Sequence, residues 1–364
     1  MKFTINSSDL KSRLDVLNKV SRSKTTLPIL SYLMMELDDE RLTITASDLE
    51  VTVSSSVIPS DIKETGSICV LSSLFSDVVR MFKDEPIDIS VDNKGNVVLK
   101  SKSGRFKIAG ESADNFPMTQ DVDESFIVDI PADEVMKGIN KISFAVKKDE
   151  LRPILGGILF DMRNSAMVMV STDLFSILAM YKIECECPTK QIVLPQKLTS
   201  VLASVVNGTE TYVQLSASEK DVRMSYGDYT IYSKQIEGNF PDYTKIVPKE
   251  ISCSFSSLSA DLIDSTKRVL LFSDVTTPVV KGEVKLGQVE IVCEDNIHGV
   301  SGEEIVLCDN IKDSGHFKTF GKRFYDSISR IDEEVTELSV SGTAITVKPH
   351  SEESKYMFVI SQLA

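Results

Sequence analysis

A proline set before an apolar run recurs in this chain at a fixed interval. KTTLPILSYLMMEL occupies residues 24–37, KDELRPILGGILFDM carries Pro153 where the first copy has Pro28, and DVTTPVVKGEVKL carries Pro278, so the three prolines stand 125 residues apart. A chain of 364 residues exceeds what one hydrophobic core usually organises and suggests two or three domains. The fixed interval selects three.

Each copy opens on a small or turn residue and an acid, then an amphipathic stretch: SSDLKSRLDVLNKVSR from Ser7, PADEVMKGINKISFAVKK from Pro131, SADLIDSTKRVLLFS from Ser259. Leu10, Leu14, Leu17 and Val20 keep helical spacing, as do Val135, Ile139, Ile142 and Val146, and then Leu262, Val269 and Phe272. The spacing predicts a helix at the head of each copy, capped by Ser or led in by Pro. After the repeated proline come two strand-like runs joined by a polar turn, closed by Asp48, Asp173 and Asp295. Asp side chains bond nearby backbone N–H groups, so turn capping is expected of these three rather than metal ligation. A second helix and hairpin follow in every copy, the helices being SSLFSDVVRMFK, PQKLTSVLASVV and FGKRFYDSISRI. Strands, helix and strands in that order predict an α+β fold with antiparallel sheets. The polar, Pro-containing stretches ADNFPMTQDVDES and GNFPDYTKIVPKE read as linkers and divide the chain into residues 1–122, 123–247 and 248–364.

Charge is unevenly placed. Forty basic and 54 acidic residues give a net −14, which by itself argues against a chain that grips nucleic acid. The six expected helices, residues 8–24, 72–83, 131–148, 195–206, 259–273 and 320–331, nevertheless hold 17 Lys and Arg against 8 Asp and Glu, a net of +9 that leaves −23 for the remainder. Part of that excess follows from Lys and Arg being good helix formers on solvated faces. The segregation still implies a basic surface made of helices and an acidic one made of strands and loops. Duplex DNA, with one negative charge per roughly 1.7 Å of axis, is attracted by such a surface without any base being read. There is no zinc-finger spacing, basic zipper or alternation of basic and aromatic residues, and no tryptophan, so neither sequence reading nor base stacking is expected.

Other classes find little support. No run approaches the roughly 18 apolar residues of a spanning helix, and MKFTINSSDL lacks the apolar core of an export signal, so no membrane partner and a cytoplasmic location are expected. Six cysteines at 69, 185, 187, 253, 293 and 308 are too irregular for a disulfide framework, and the close pair Cys185 and Cys187 has no matching His or Cys pair elsewhere, so no metal site and no cofactor are expected. The three histidines, His298, His316 and His350, form no recognisable arrangement, and nucleophile-elbow, phosphate-loop and metalloprotease motifs are absent from the sequence. A non-catalytic role is expected.

The landmarks MKFTI at the start, TLPIL at 26–30, LTITASDLE at 42–50, SGRFKIAGESADNFP at 103–117, STD at 171–173 and GNFPDYTKIVP at 238–248 fall in order over essentially the whole length. Together they resemble the β subunit of bacterial DNA polymerase III, the replicative sliding clamp. The resemblance implies three tandem copies of the DNA-clamp fold, two chains closing head to tail into a six-domain ring, with helices lining the hole and sheets outside. The implied function is a processivity factor that encircles duplex DNA and tethers the polymerase III α subunit, the clamp loader and other motif-bearing proteins. A clamp-fold scaffold with a specialised partner and no processivity role is the alternative; such a protein need not keep basic helices.

The positions follow residue by residue. DNA-facing cations would be Lys24 and Lys197 and, more generally, Lys11, Arg80, Lys137, Lys141, Lys267 and Arg323. The ring interface would set Phe106 and Ile108 against Leu271 and Phe272 of the other chain. A peptide-binding groove would use Leu155, Thr172, Leu174, Phe175 and Ile177, with Pro241, Ile246 and Val247, closed by Val359 and Ile360. Here the chain departs from the family pattern: where many members read TDGHRL this one reads TDLFSI, and the tail reads VISQLA. A bulkier, less basic groove with altered motif preference is the consequence expected.

Overall fold

The computed structural model describes residues 1–21, 27–117, 126–351 and 353–363. Among the described residues six α-helices lie where the periodicity places them: α1 Ser7–Ser21, α2 Ser72–Met81, α3 Ala132–Ile142, α4 Gln196–Val205, α5 Ser259–Val269 and α6 Gly321–Ile328. Their inward faces are the spaced apolar residues, with Leu10, Leu14 and Leu17 of α1 and Leu262 of α5 wholly buried. Each such side chain contributes about 1.5–3 kcal/mol of burial.

Two local expectations are corrected. Ser7 and Ser259 do not cap their helices; their hydroxyls donate to the carbonyls of Lys83 (2.6 Å) and Glu333 (2.7 Å), and their N–H groups to the carbonyls of Glu85 and Glu334. Each serine thus ties the head of the first helix of its copy to the loop after the second. The helices are also shorter than the apolar pattern: α3 stops at Ile142, where a 3-10 turn Ser143–Ala145 follows and the Ser143 hydroxyl donates back to the Ile139 carbonyl. Within the observed bounds the helices hold 11 Lys and Arg against 8 Asp and Glu. Part of the expected excess therefore sits just beyond helix C-termini, at Lys83 and Arg330, where the helix dipole favours cations, and part at Lys147 and Lys148, past the 3-10 turn that follows α3.

The chain divides into two compact units, Met1–Met136 with Leu194–Gln235, and Lys137–Val193 with Ile236–Ala364. The first is built on a 13-stranded antiparallel sheet, the second on a nine-stranded sheet and a four-stranded one. In each repeat a third strand, Val51–Val57, Ile177–Glu184 or Val300–Leu307, follows the hairpin closed by the aspartate.

Those third strands reveal a rule. In the first unit, Val51–Val57 pairs with Tyr229–Lys234, the last strand of the second repeat, in the register Ser55↔Tyr229 and Val53↔Ile231. In the second unit, Ile177–Glu184 pairs with Tyr356–Ser361, the last strand of the third repeat, with Ile177↔Ile360 and Met180↔Met357. The third strand of the third repeat, Val300–Leu307, is an edge, with Ile305 57% and Leu307 76% exposed. The last strand of the first repeat, Arg105–Glu111, pairs through Arg105–Ala109 with Asn96–Lys100, and only its end residues Gly110 and Glu111 reach Gly66–Leu71 on the other flank.

Candidate docking groove and helix-borne cations

The repeated aspartates share one geometry. Asp48 Oδ1 accepts the N–H groups of Glu50 (3.2 Å) and Val51 (2.9 Å), Asp173 Oδ1 those of Phe175 (3.0 Å), Ser176 (2.7 Å) and Ile177 (3.0 Å), and Asp295 Oδ1 those of Ile297 (2.9 Å) and His298 (3.1 Å). They are turn caps, which leaves the second carboxylate oxygen available. In two repeats a helix cation takes it: Lys197 at the start of α4 pairs with Asp48, and Arg323 at the start of α6 with Asp173 at 2.9 Å. In the third, His298 Nδ1 lies 2.6 Å from Asp295 Oδ2 and its pKa is raised, first by that hydrogen bond.

Lys197 and Arg323 thus point at least part of their charge into the fold. Arg323 also donates to Ser176 Oγ (3.1 Å) and to the Phe144 carbonyl (3.3 Å). Lys11 donates to the carbonyl of Phe82, and Lys141 pairs with Asp332 at 2.7 Å while lying over the Tyr356 ring. Arg80 is exposed and bonded to Asp15 (2.5 Å); Lys137 and Lys267 are exposed too, on α3 and α5. Lys24 lies outside the described residues. Lys19 of α1 and Lys322 of α6 are exposed as well; the count of helix cations included both, but the resemblance did not single them out. Among the described residues no cluster of three or more His, Cys, Asp or Glu side chains has metal-site geometry.

The groove positions all belong to the second unit and sort into floor and rim. Strand alternation sets Thr172, Leu178 and Val359 on one face of the nine-stranded sheet, in the register Thr172↔Leu178↔Val359. Ile177 and Ile360 form the adjacent cross-strand pair and face the other way, both buried. Over the first face lies the segment 236–247: Ile246, Val247, Phe240 and Ile236 pack on a cluster containing Leu159, Val170, Leu178, Met180 and Val359. Leu155 and Thr172 are buried, while Leu174, Pro241, Ile246 and Val247 are half-buried. Phe175 is 55% exposed, with Lys147 and Arg152 at 5.2 and 5.0 Å from its ring centroid, close enough for cation–π attraction. Its carbonyl accepts the Ser361 hydroxyl (2.8 Å), fixing the turn to the C-terminal strand.

What holds the covering segment is a buried carboxylate. Asp161, 3% exposed, accepts from the Tyr243 hydroxyl (2.5 Å), from Arg163 Nη2 (2.5 Å) and from Gln191 (3.1 Å). Burial acts to raise its pKa, and the hydrogen bonds from Arg163, Tyr243 and Gln191 outweigh that and lower it. Sequence reasoning passed over this network, although an acid inside the apolar run GGILFDM was its visible signal.

The ring-interface positions are split between the units. Phe106 is partly exposed and meets Phe82 edge to face at 5.5 Å, beside a cleft of about 690 Å³ lined also by Met81 and Lys83, whereas Ile108 is buried. Leu271 is 81% exposed, and the Phe272 ring packs over Gly302 of the edge strand, where a Cβ would come within 2.6 Å of it.

The model for the N-terminal domain of the DNA polymerase III beta subunit matches residues 1–120, and that for the central domain residues 129–242. The chain belongs to the DNA polymerase III beta subunit family. It is 27% identical to the beta sliding clamp of Bacillus subtilis over 75% of each chain, and 24% identical to that of Halalkalibacterium halodurans over 94% of this chain and 93% of the relative. The crystal structure of the DNA polymerase III subunit beta from Pseudomonas aeruginosa superimposes with a TM-score of 0.94 at 23% identity, covering 100% of both chains. Members of the beta-subunit family are accessory, non-catalytic components of the replicative polymerase, and the chain shares their clamp fold throughout. No helix among the described residues is long and apolar enough to cross a membrane.

Proposed function

We propose that the chain works as a sliding clamp, a processivity factor in which two copies close head to tail around duplex DNA, with 1–122, 123–247 and 248–364 as equivalent domains and with its site of action in the cytoplasm. The observation that carries this reading is the strand rule. Third strands meet last strands twice within the chain, at 51–57 with 229–234 and at 177–184 with 356–361. One of each kind is left: the edge 300–307 and the half-paired 105–111. A second copy supplies the missing partner for both, two interfaces form, and no open sheet edge remains at either. The exposed Leu271, Ile305 and Leu307 on one side, and Phe106 and Met81 on the other, then become interface core.

Encirclement makes the hold on DNA topological, so the helix cations need attract phosphate only loosely and the net −14 of the chain discourages DNA from adhering elsewhere. Arg80, Lys137 and Lys267, with Lys19 and Lys322, are the cations placed to do this. The face bounded by Thr172, Phe175, Pro241, Ile246, Val247 and Val359 takes an apolar anchor from polymerase, loader or other clamp-binding proteins. A scaffold without a processivity role is not favoured, since the relatives are themselves beta sliding clamps.

Light scattering on the purified chain tests the ring: a mass near twice 40.3 kDa is expected, reduced to that of a monomer by Leu271→Glu. Retention on a nicked circular plasmid, lost when the plasmid is linearised, tests encirclement. A parent chain that is a monomer, or retention indifferent to DNA ends, overturns the reading.

A further inference from the structure

The face that carries the docking floor runs on into a cationic cleft. Following the strands away from Leu178 and Val359, the same alternation brings Met180 beside Met357 and then Lys182 beside Lys355, whose carbonyl accepts the Lys182 N–H at 2.6 Å. At that end lies a cleft of about 520 Å³ with Met180 and Met357 in its floor and Arg163, Lys182, Lys348 and Lys355 around it; among the described residues no acid lines it. On a chain of net charge −14 this is a reversal of the prevailing sign. The cations have carboxylates nearby, Asp161 at 2.5 Å from Arg163, Glu337 at 3.1 Å from Lys348 and Glu184 at 3.6 Å from Lys182, but these sit outside the lining.

We propose that this cleft receives acidic side chains of the peptide whose apolar anchor occupies the neighbouring groove, so that partners of this chain carry acids about four residues from the anchor. The inference rests on the docking reading above. Val359 and Lys355 are four residues apart on one extended strand, about 13 Å at roughly 3.3 Å per residue, a separation that an extended peptide anchored at the groove rim spans in as many residues. Met180 and Met357 belong both to the apolar cluster under the covering segment and to the cleft lining, so the docking groove and the cationic cleft adjoin.

Fluorescence anisotropy on the full chain decides it, using two labelled peptides that share a Leu-Phe anchor and differ only in three residues centred four positions away: Asp-Glu-Asp in one, Ser-Gln-Ser in the other. The acidic peptide is expected to bind about three- to tenfold more tightly at low salt, the advantage shrinking as salt is added. It should vanish in a Lys182→Gln, Lys355→Gln double variant that binds the neutral peptide as the parent does. Equal binding of the two peptides, or an advantage that survives in the double variant, overturns the proposal and leaves the docking groove standing. If neither peptide binds, the docking reading itself fails and the proposal with it. A short DNA duplex that binds the parent but not the double variant, with both peptides held equally, assigns the cleft to nucleic acid and also overturns it.

Discussion

Arg323 Nη2 lies 2.9 Å from Asp173 Oδ2, so the cation heading α6 neutralises the carboxylate that caps the docking-groove turn. Asp173 is 5% exposed, and removing one partner of such a pair leaves the other charge buried. Arg323→Ala is expected to destabilise the chain by about 3 kcal/mol and to loosen the turn that carries Phe175. Urea unfolding together with binding of an anchor peptide measures both effects; an unchanged midpoint would show that the pair contributes nothing.

The same carboxylate sets a pH dependence. Burial acts to raise the Asp173 pKa, but the Ser176 hydroxyl and the N–H groups of Ser176, Ile177 and Phe175 lower it on balance. A depressed folded pKa means that its contribution is fully present above the ordinary aspartate value of about 4 and is lost as pH falls below it. Asp173→Asn should therefore cost stability at pH 7 and flatten the acid limb below about pH 4, read as urea midpoints across pH 3–7.

Tyr243 is the donor that links the covering segment to Asp161. Tyr243→Phe keeps the ring and removes one hydrogen bond to a buried carboxylate, so a loss of about 1.5–3 kcal/mol is expected. Because Ile246 and Val247 share that segment, anchor-peptide affinity should fall in the same variant. Equal stability of variant and parent by chemical denaturation would count against the network as the clasp.

Leu49 sits in the turn capped by Asp48 with φ +74°, a left-handed conformation that costs a leucine about 1–2 kcal/mol, and it is 58% exposed. Leu49→Gly removes the strain at the cost of a more flexible unfolded chain. A net gain of about 0.5–1 kcal/mol is expected in thermal or urea unfolding.

The helix cations should separate into two groups. Lys267→Gln with Lys322→Gln, both on exposed helix positions, should weaken sequence-independent DNA contact and lower its salt slope by about 1 per phosphate contact removed, with little change in stability. Lys11→Gln, which withdraws a donor from the Phe82 carbonyl, should instead lower stability by about 1 kcal/mol. Salt-dependent binding to a plasmid and urea midpoints distinguish the two.

The periodicity and the spacing of Pro28, Pro153 and Pro278 by themselves determined six helices, antiparallel hairpins and threefold repetition, because apolar spacing and turn residues act over a few neighbours. Asp48, Asp173 and Asp295 were legible as turn caps for the same reason: a carboxylate two to four residues from the amides it accepts is a local fact. Groove positions such as Ile246, Val247 and Val359 came from resemblance; strand register brings Val359 beside Leu178 across about 180 residues of chain, and packing lays Ile246 and Val247 over that face, neither of which a local pattern encodes. Only the tertiary structure decided that Lys197 and Arg323 meet the capping aspartates, that Tyr243 is clasped by Asp161, and that Val300–Leu307 is left as an edge. Charge and exposure are properties of what folding brings near. The sequence counts a lysine as +1 wherever it stands, whereas its role depends on whether a carboxylate, a carbonyl or solvent lies within about 3 Å of its nitrogen.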